Sequence, residues 1–399
     1  MKKKDSMMDT VDRLSRDVEI PDIVMEKANQ AFEQIRREGS RTNGKIVSYQ
    51  RAGKRSGRKY AVIALTATLA VGTVTACAAY MNWSRGLTEE LRISESQQEN
   101  LEQTGMTAFS GASVSDAGVT VTAEQSITDN YYTYLSFKVE GYSPAEGVQP
   151  DFETISVTVD GKNDISWGGG FYDGLVCGND GMVINADGSE AETEEDGSLI
   201  EHYVMDDGSL EYHMVLSGGG EKGAIIGKDI RVSFENLGSV AKAEYTPDLE
   251  GKWTLEWTLG GADTAISAQT EETLGDTGAT VTGIELSPIS IRVTYDFPRK
   301  ELTGECQDEN GEMKTYTYFD EPPVANGVKL KDGTMLTSLY GGPGSAGYLS
   351  DESDTYQSAF AFSRVIDPEQ VAAVLFLKRT EGEEKPLKDM DYYEVAIGE

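Results

Sequence analysis

Hydrophobic positions along this chain follow three successive rhythms. Up to about residue 39 they recur every three to four residues. Between Tyr60 and Trp83 no charged residue interrupts them, and from about Met106 they alternate with polar ones. Each rhythm predicts a different element. Met7, Val11, Leu14 and Val18 share one face of a short helix. Ile20-Pro21 interrupts it, because a residue before proline is pushed out of the α region. Pro21 suits the first turn of a second helix, with Asp22 near its positive end. Val24, Ala28, Phe32 and Ile35 line one face of that helix, and Gly39 ends it. Gly44 to Gly57 is polar and basic and reads as a tether.

Two helices of this size cannot bury a core of their own. The face of Val24, Ala28, Phe32 and Ile35 is therefore read as a protein-binding site; the plainer alternative is a weakly ordered arm with no partner. The uncharged run that follows has 24 residues. As a helix it would extend roughly 36 Å, enough for a bilayer core of about 30 Å. Arg51, Lys54, Arg55, Arg58 and Lys59 precede it and read as a basic membrane anchor. The positive-inside rule then puts residues 1–59 in the cytoplasm and everything after about Ser84 outside, as a single-pass protein of the cell membrane. Val74-Thr75-Ala76-Cys77 resembles a lipoprotein cleavage box, but so long a basic head does not suit a secretory signal.

Ser84 to Gly105 is helix-prone and polar and is expected to be a stalk. Beyond it, Val119/Val121/Ala123, Leu135/Phe137/Val139 and Ile155/Val157/Val159 alternate with polar residues, and Asp160-Gly161 marks a turn. Ile230 to Phe234 and Trp253 to Leu259 repeat the period, with Trp253 and Trp257 on a core face. Gly260-Gly261 is a plausible boundary. After it Ile289 to Phe297 alternates behind Pro288, Asn326-Gly327 and Asp332-Gly333 read as turns, and Val371 to Leu377 as a closing strand. The expected fold is mainly β: two tandem extracellular β-sandwich-like, immunoglobulin-like domains over 106–261 and 262–399, after a cytoplasmic arm (1–59), a transmembrane helix (60–83) and a helical stalk (84–105).

Charge sharpens the division. The net −33 of the chain comprises +6 over 1–59, none over 60–83 and −39 over 84–399. So acidic an outer part repels nucleic acid and anionic headgroups, which leaves no nucleic-acid partner and gives the bilayer contact to the span and its basic flank. Cys77, Cys177 and Cys306 give no disulfide signature; one bridge between the last two stays open.

Catalytic signals are poor, and no enzyme activity, catalytic residue, metal or cofactor is expected. His202 and His213 lack ligand partners at fixed spacing and read as surface or strand residues. Gly223 to Asp229 departs from a phosphate loop in spacing and has Asp where Ser or Thr would hold magnesium. Pro343 to Gly347 lacks the first glycine of a nucleophile elbow. Both read as loops, and the acidic Asp180 to Asp207 segment reads as a solvated loop.

Several stretches together resemble the bacterial domain-of-unknown-function 4179 (DUF4179) family: Ile20-Pro-Asp-Ile-Val-Met-Glu-Lys27, Ala31-Phe32, Trp83-Ser-Arg-Gly-Leu87, Gly118 to Ala123, Asp129 to Tyr134 and Phe137 to Gly141. Thr282 to Pro288 looks like the start of the second external domain often found with them. The resemblance implies a single-pass membrane protein of Gram-positive Firmicutes, of a kind often encoded beside extracytoplasmic-function sigma factors and in several cases labelled anti-sigma. It supplies no catalytic or binding residues. The leading expectation is an anti-sigma-like regulator whose arm binds a cytoplasmic sigma factor and whose outer domains sense an envelope signal of unknown chemistry. The alternative is a cell-surface binding or envelope-structural protein with the arm as anchor alone.

Overall fold

The computed structural model describes residues 83–397 apart from 146–147, 195–196, 221, 242–243, 308–312 and 379–389. Val24, Ala28, Phe32 and Ile35, the basic flank Arg51, Lys54, Arg55, Arg58 and Lys59, and the uncharged run up to residue 82 lie outside the described residues. Among those described, no helix is long and apolar enough to cross a membrane.

Two short helices open the described chain. Helix α1 (Arg85–Glu90) is capped by the Ser84 hydroxyl, which accepts from the Leu87 amide. Helix α2 (Glu95–Thr104) starts with a capping box between Ser94 and Gln97 and stops at Gly105 in the left-handed conformation. The chain then turns to strands: β1 (Thr107–Asp116), β2 (Val119–Thr128), β3 (Tyr132–Glu140), β4 (Gln149–Val159), β5 (Ser166–Phe171), β6 (Leu175–Cys177), β7 (Val183–Asn185), β8 (Leu210–Ser217), β9 (Asp229–Ala241) and β10 (Glu244–Thr258). They form antiparallel sheets ordered β1-β2-β3-β8-β5 and β10-β9-β4, with a small β6-β7 ribbon. Val119, Val121, Leu135, Phe137 and Val139 from the first sheet meet Val157, Val232, Phe234, Trp253 and Leu255 from the second in one buried core. The alternation seen in the sequence is the inner face of these sheets, and Trp257 packs at the core's margin.

The second group comprises β11 (Ile266–Thr273), β12 (Thr280–Leu286), β13 (Ser290–Asp296), β14 (Glu301–Gln307), β15 (Met313–Phe319), β16 (Ala325–Leu330), β17 (Met335–Thr337), β18 (Tyr340–Tyr348), β19 (Thr355–Phe362), β20 (Val371–Leu377) and β21 (Tyr392–Ala396). Sheets ordered β11-β12-β13-β19-β18 and β17-β16-β20-β21 enclose a second core around Val293, Tyr295, Val328, Phe360, Val374 and Phe376. The β14-β15 ribbon pairs only with itself.

A third apolar cluster joins these bodies. Leu87, Leu91, Ile93 and Leu101 from the helices meet Tyr131, Tyr132, Tyr134 and Val215 on the outer face of the first sheet. Ile289, Ala359, Ala361 and Val365 of the second group complete it. Residues 84–105 are thus helical, as their propensity predicts, but they are not a free polar rod. Four apolar side chains in an otherwise polar segment suffice to seat it against both β-groups. Polar ties reinforce the seat. The buried Asp129 carboxylate accepts from the Tyr131 and Tyr132 amides, both at 2.8 Å, and from the Ser287 and Ser290 hydroxyls across the junction. Burial raises its pKa, and those hydrogen bonds pull it back.

Two local expectations fail. Pro343 to Gly347 is not a loop but most of β18, an end strand where proline need not donate. Asn326-Gly327 is no turn but lies inside β16. There a Cβ on Gly327 would sit 2.3 Å from the Leu336 carbonyl oxygen, so glycine serves close strand approach. Asp332-Gly333 does turn the chain, with Gly333 at positive φ. Cys177 and Cys306 are both free thiols.

Candidate functional site

Along β8, Tyr212, Met214 and Leu216 face the core, which turns Glu211, His213, Val215 and Ser217 to the opposite sides of the pleat. Every residue of β8 is buried, so this outer face is covered too. Helix α1 covers its polar part. Glu211 Oε2 accepts from the Gly86 amide at 3.1 Å and from the Ser84 hydroxyl, and Ser136 Oγ donates to Ser84 Oγ at 2.7 Å. The Ser84 amide donates to Gln125 Oε1 at 3.0 Å. The first turn of α1 therefore carries one amide, that of Gly86, onto a buried carboxylate.

His213 stands between Glu211, 3.1 Å from its Nε2, and Glu90 at the end of α1, which pairs with Nδ1. Burial alone would depress the imidazole pKa, but the two carboxylates outweigh it and raise it to about 9. Burial likewise opposes ionisation of Glu211, and His213, Ser84 and the Gly86 amide reverse this, lowering it to about 2. A carboxylate–imidazolium–carboxylate row thus clamps both ends of α1 to the sheet. Gly86 is required by this fit: a Cβ there would lie 2.8 Å from Glu211 Oε2 and 2.9 Å from Tyr172 Cδ1.

Beside the clamp the sheet's outer face is bare. In β5, Trp167 and Phe171 pack toward the first core, and the alternate positions are Gly168 and Gly170. A Cβ on either would meet nothing within 4 Å. The missing side chains open a cleft of about 620 Å³, walled by Tyr172, Asp173, Glu90 and His213 on one side and by the Tyr340–Pro343 end of β18 on the other. A second hollow of about 480 Å³ shares Glu90, Asp173 and Tyr340 and adds Glu201. Among the described residues, neither lining includes a lysine or arginine. Burial raises the Asp173 pKa, its bond from the Leu175 amide offsets part of that, and repulsion from Glu201 and Glu90 adds to it. Glycine is costly inside a strand, and a run of three commonly marks close approach by another group.

No family model matches the chain, and no curated protein matches it. Among solved structures, a conserved domain protein from Bacillus anthracis is similar over 74% of this chain and 87% of its own length, at 12% identity and a TM-score of 0.34. So loose a likeness carries no argument about function.

The two histidines separate in the structure. His202 is exposed, whereas His213 is a buried strand residue with two acidic partners. Gly223 to Lys228 is a loop leading into β9, which Asp229 begins. The acidic 180–207 stretch is mostly loop, broken by the short β7. Sequence reasoning missed the clamp and the cleft. Two signals were present: Glu211 and His213 alternate with Tyr212 and Met214 in an apolar run, and Trp167-Gly-Gly-Gly-Phe171 puts three glycines between aromatic residues.

Proposed function

We propose that the chain is a single-pass, anti-sigma-like membrane regulator. Residues 1–59 bind a cytoplasmic sigma factor, and the β-groups are external, immunoglobulin-like domains that sense an envelope signal. The resemblance to the domain-of-unknown-function 4179 family and the charge division support this reading. The observation that carries it is the clamp on α1. That helix begins directly after the uncharged run, and Glu211, His213 and Glu90 tie it to the wall of the cleft. Occupancy of the cleft and the position of α1 are therefore coupled through Glu90 and His213, as a sensor requires.

The test is capture of the sigma factor by the full chain in detergent micelles. Phe32→Ala removes an aromatic anchor at the proposed contact and should weaken binding by about 2 kcal/mol, roughly 30-fold. Glu33→Ala, on another helix face, should change it little. Equal binding by wild type and Phe32→Ala would remove the arm from the contact.

The second reading, an envelope-binding protein, is favoured by one feature. Every residue of β15 is exposed, including Met313, Tyr316, Tyr318 and Phe319, on a ribbon paired only with β14. Loss of envelope retention on replacing Tyr316 and Tyr318, with sigma capture unchanged, would favour that reading.

A further inference from the structure

We infer that the free edge of β5 and the cleft beside it receive an extended, cationic peptide segment of another protein as an added strand. This does not depend on the sigma-factor reading. β5 ends its sheet and pairs with β8 alone, in unbroken register from Ser166 opposite Ser217 to Phe171 opposite Tyr212. Just beyond it the Tyr172 amide donates to the Glu211 carbonyl at 2.9 Å. Backbone groups alternate in direction along a strand, so Gly168 and Gly170 also turn theirs toward β8. Trp167, Gly169 and Phe171 turn theirs to the open side.

End strands are normally guarded by lysine, proline, a bulge or a covering element. Ser166 to Phe171 has no charge, no proline and no register shift, and Gly169 and Gly170 are exposed. Strand addition draws affinity from such main-chain groups and specificity from hollows that take alternate side chains. The hollow here is the space over Gly168 and Gly170, where a Cβ meets nothing within 4 Å.

Its chemistry selects the occupant. Glu90, Asp173 and Glu201 outnumber the one cation of the lining, the His213 imidazolium that pairs with Glu90, and the exposed Tyr340 supplies a ring face. Lysine or arginine side chains satisfy both, with apolar stems along the ring and charged heads at Asp173 and Glu201. Charge also rejects the other occupants of a bare edge. The acidic part of a second copy, −39 over 84–399, is repelled, and so is an anionic polymer.

The test uses the full chain in non-ionic detergent micelles and fluorescence anisotropy of a labelled Lys-Val-Lys-Val-Lys-Val amide. Two control peptides accompany it: one with glutamate for lysine, and one with every backbone amide N-methylated, which blocks both strand edges and so keeps the charge but cannot add as a strand. Saturable binding of the lysine peptide is expected, with both controls at least about tenfold weaker. Gly168→Val and Gly170→Val should each weaken it about tenfold or more without lowering the melting temperature. Asp173→Asn should weaken it about three- to fivefold and flatten its dependence on salt. Absence of saturable binding by the lysine peptide would overturn the inference. Equal binding of the methylated and unmethylated peptides would overturn it too, as charge attraction alone, and so would wild-type affinity in folded Gly170→Val.

Discussion

β5 and β18 each end a five-stranded sheet, both are rich in glycine, and both line the same cleft. In β18, Gly341 and Gly342 mark contact, whereas a Cβ on Gly347 would meet nothing within 4 Å. A Cβ on Gly341 would lie 2.3 Å from the Ser363 nitrogen and 2.4 Å from the Phe362 carbonyl carbon, and one on Gly342 would lie 2.5 Å from Val215 Cγ1. In β5, Gly169 is equally tight, 2.5 Å from the His213 oxygen, but its neighbours Gly168 and Gly170 face open space. One strand uses the missing side chain to let two bodies touch, and the other uses it to keep a space unfilled. Glycine in a strand has no fixed meaning; what stands opposite the absent Cβ decides it.

The contrast can be broken at its strongest point first. Gly341→Ala drives a methyl group into backbone that cannot retreat, and it should cost about 3 kcal/mol in chemical denaturation. A loss under about 0.5 kcal/mol would mean that β18 does not approach so closely.

Next is the clamp on the same wall. His213 has its folded pKa raised from 6.5 to about 9. Its contribution is fully present below pH 6.5 and is lost as pH rises through about 9. Glu211 has its folded pKa lowered from 4.5 to about 2, so its contribution is present above pH 4.5 and is lost as pH falls through about 2. Between pH 6.5 and 9 the clamp should lose on the order of 2–3 kcal/mol. Glu124 is raised from 4.5 to about 7, by burial and by Glu211, so its loss lies mostly at lower pH and is nearly complete by pH 7. Thermal melts across this range should fall in the wild type and flatten in His213→Gln. An unchanged slope in that variant would assign the fall to other groups.

The smallest effect has the opposite sign. Gly170→Val adds a β-favouring side chain where nothing obstructs it, and it should stabilise by about 0.5–1 kcal/mol. A matching gain from Gly341→Ala would erase the distinction between the strands.

Much of the β architecture was legible in the sequence, because a sheet face against a core writes a period of two. The alternation over Val119–Ala123, Leu135–Val139 and Ile291–Tyr295 is the inward face of β2, β3 and β13. The outer face of the first sheet was not legible. Its cover comes from α1, α2 and the second β-group, so Tyr132, Tyr134 and His213 sit at positions that would normally be solvated. β8 went unrecognised as a strand for this reason: burial on both faces hides the period. The cleft was harder still, since it consists of side chains that β5 lacks, and three glycines read equally well as a turn.

The clamp has a mechanical consequence. Helix α1 has only six residues, too few to persist in water once released. Tension applied to the chain from the side of Trp83 is therefore borne by the Trp83 indole bond to Glu102 and by the bonds of Ser84 and Gly86 to Gln125 and Glu211. While they hold, pull passes directly into the first sheet. When they, the Glu90–His213 pair and the burial of Leu87 and Leu91 yield, the helix unravels and its residues become slack, extending by about 2 Å each as the rise changes from about 1.5 to 3.3–3.6 Å. The segment is thus a fuse in the load path, with two lengths and little between them.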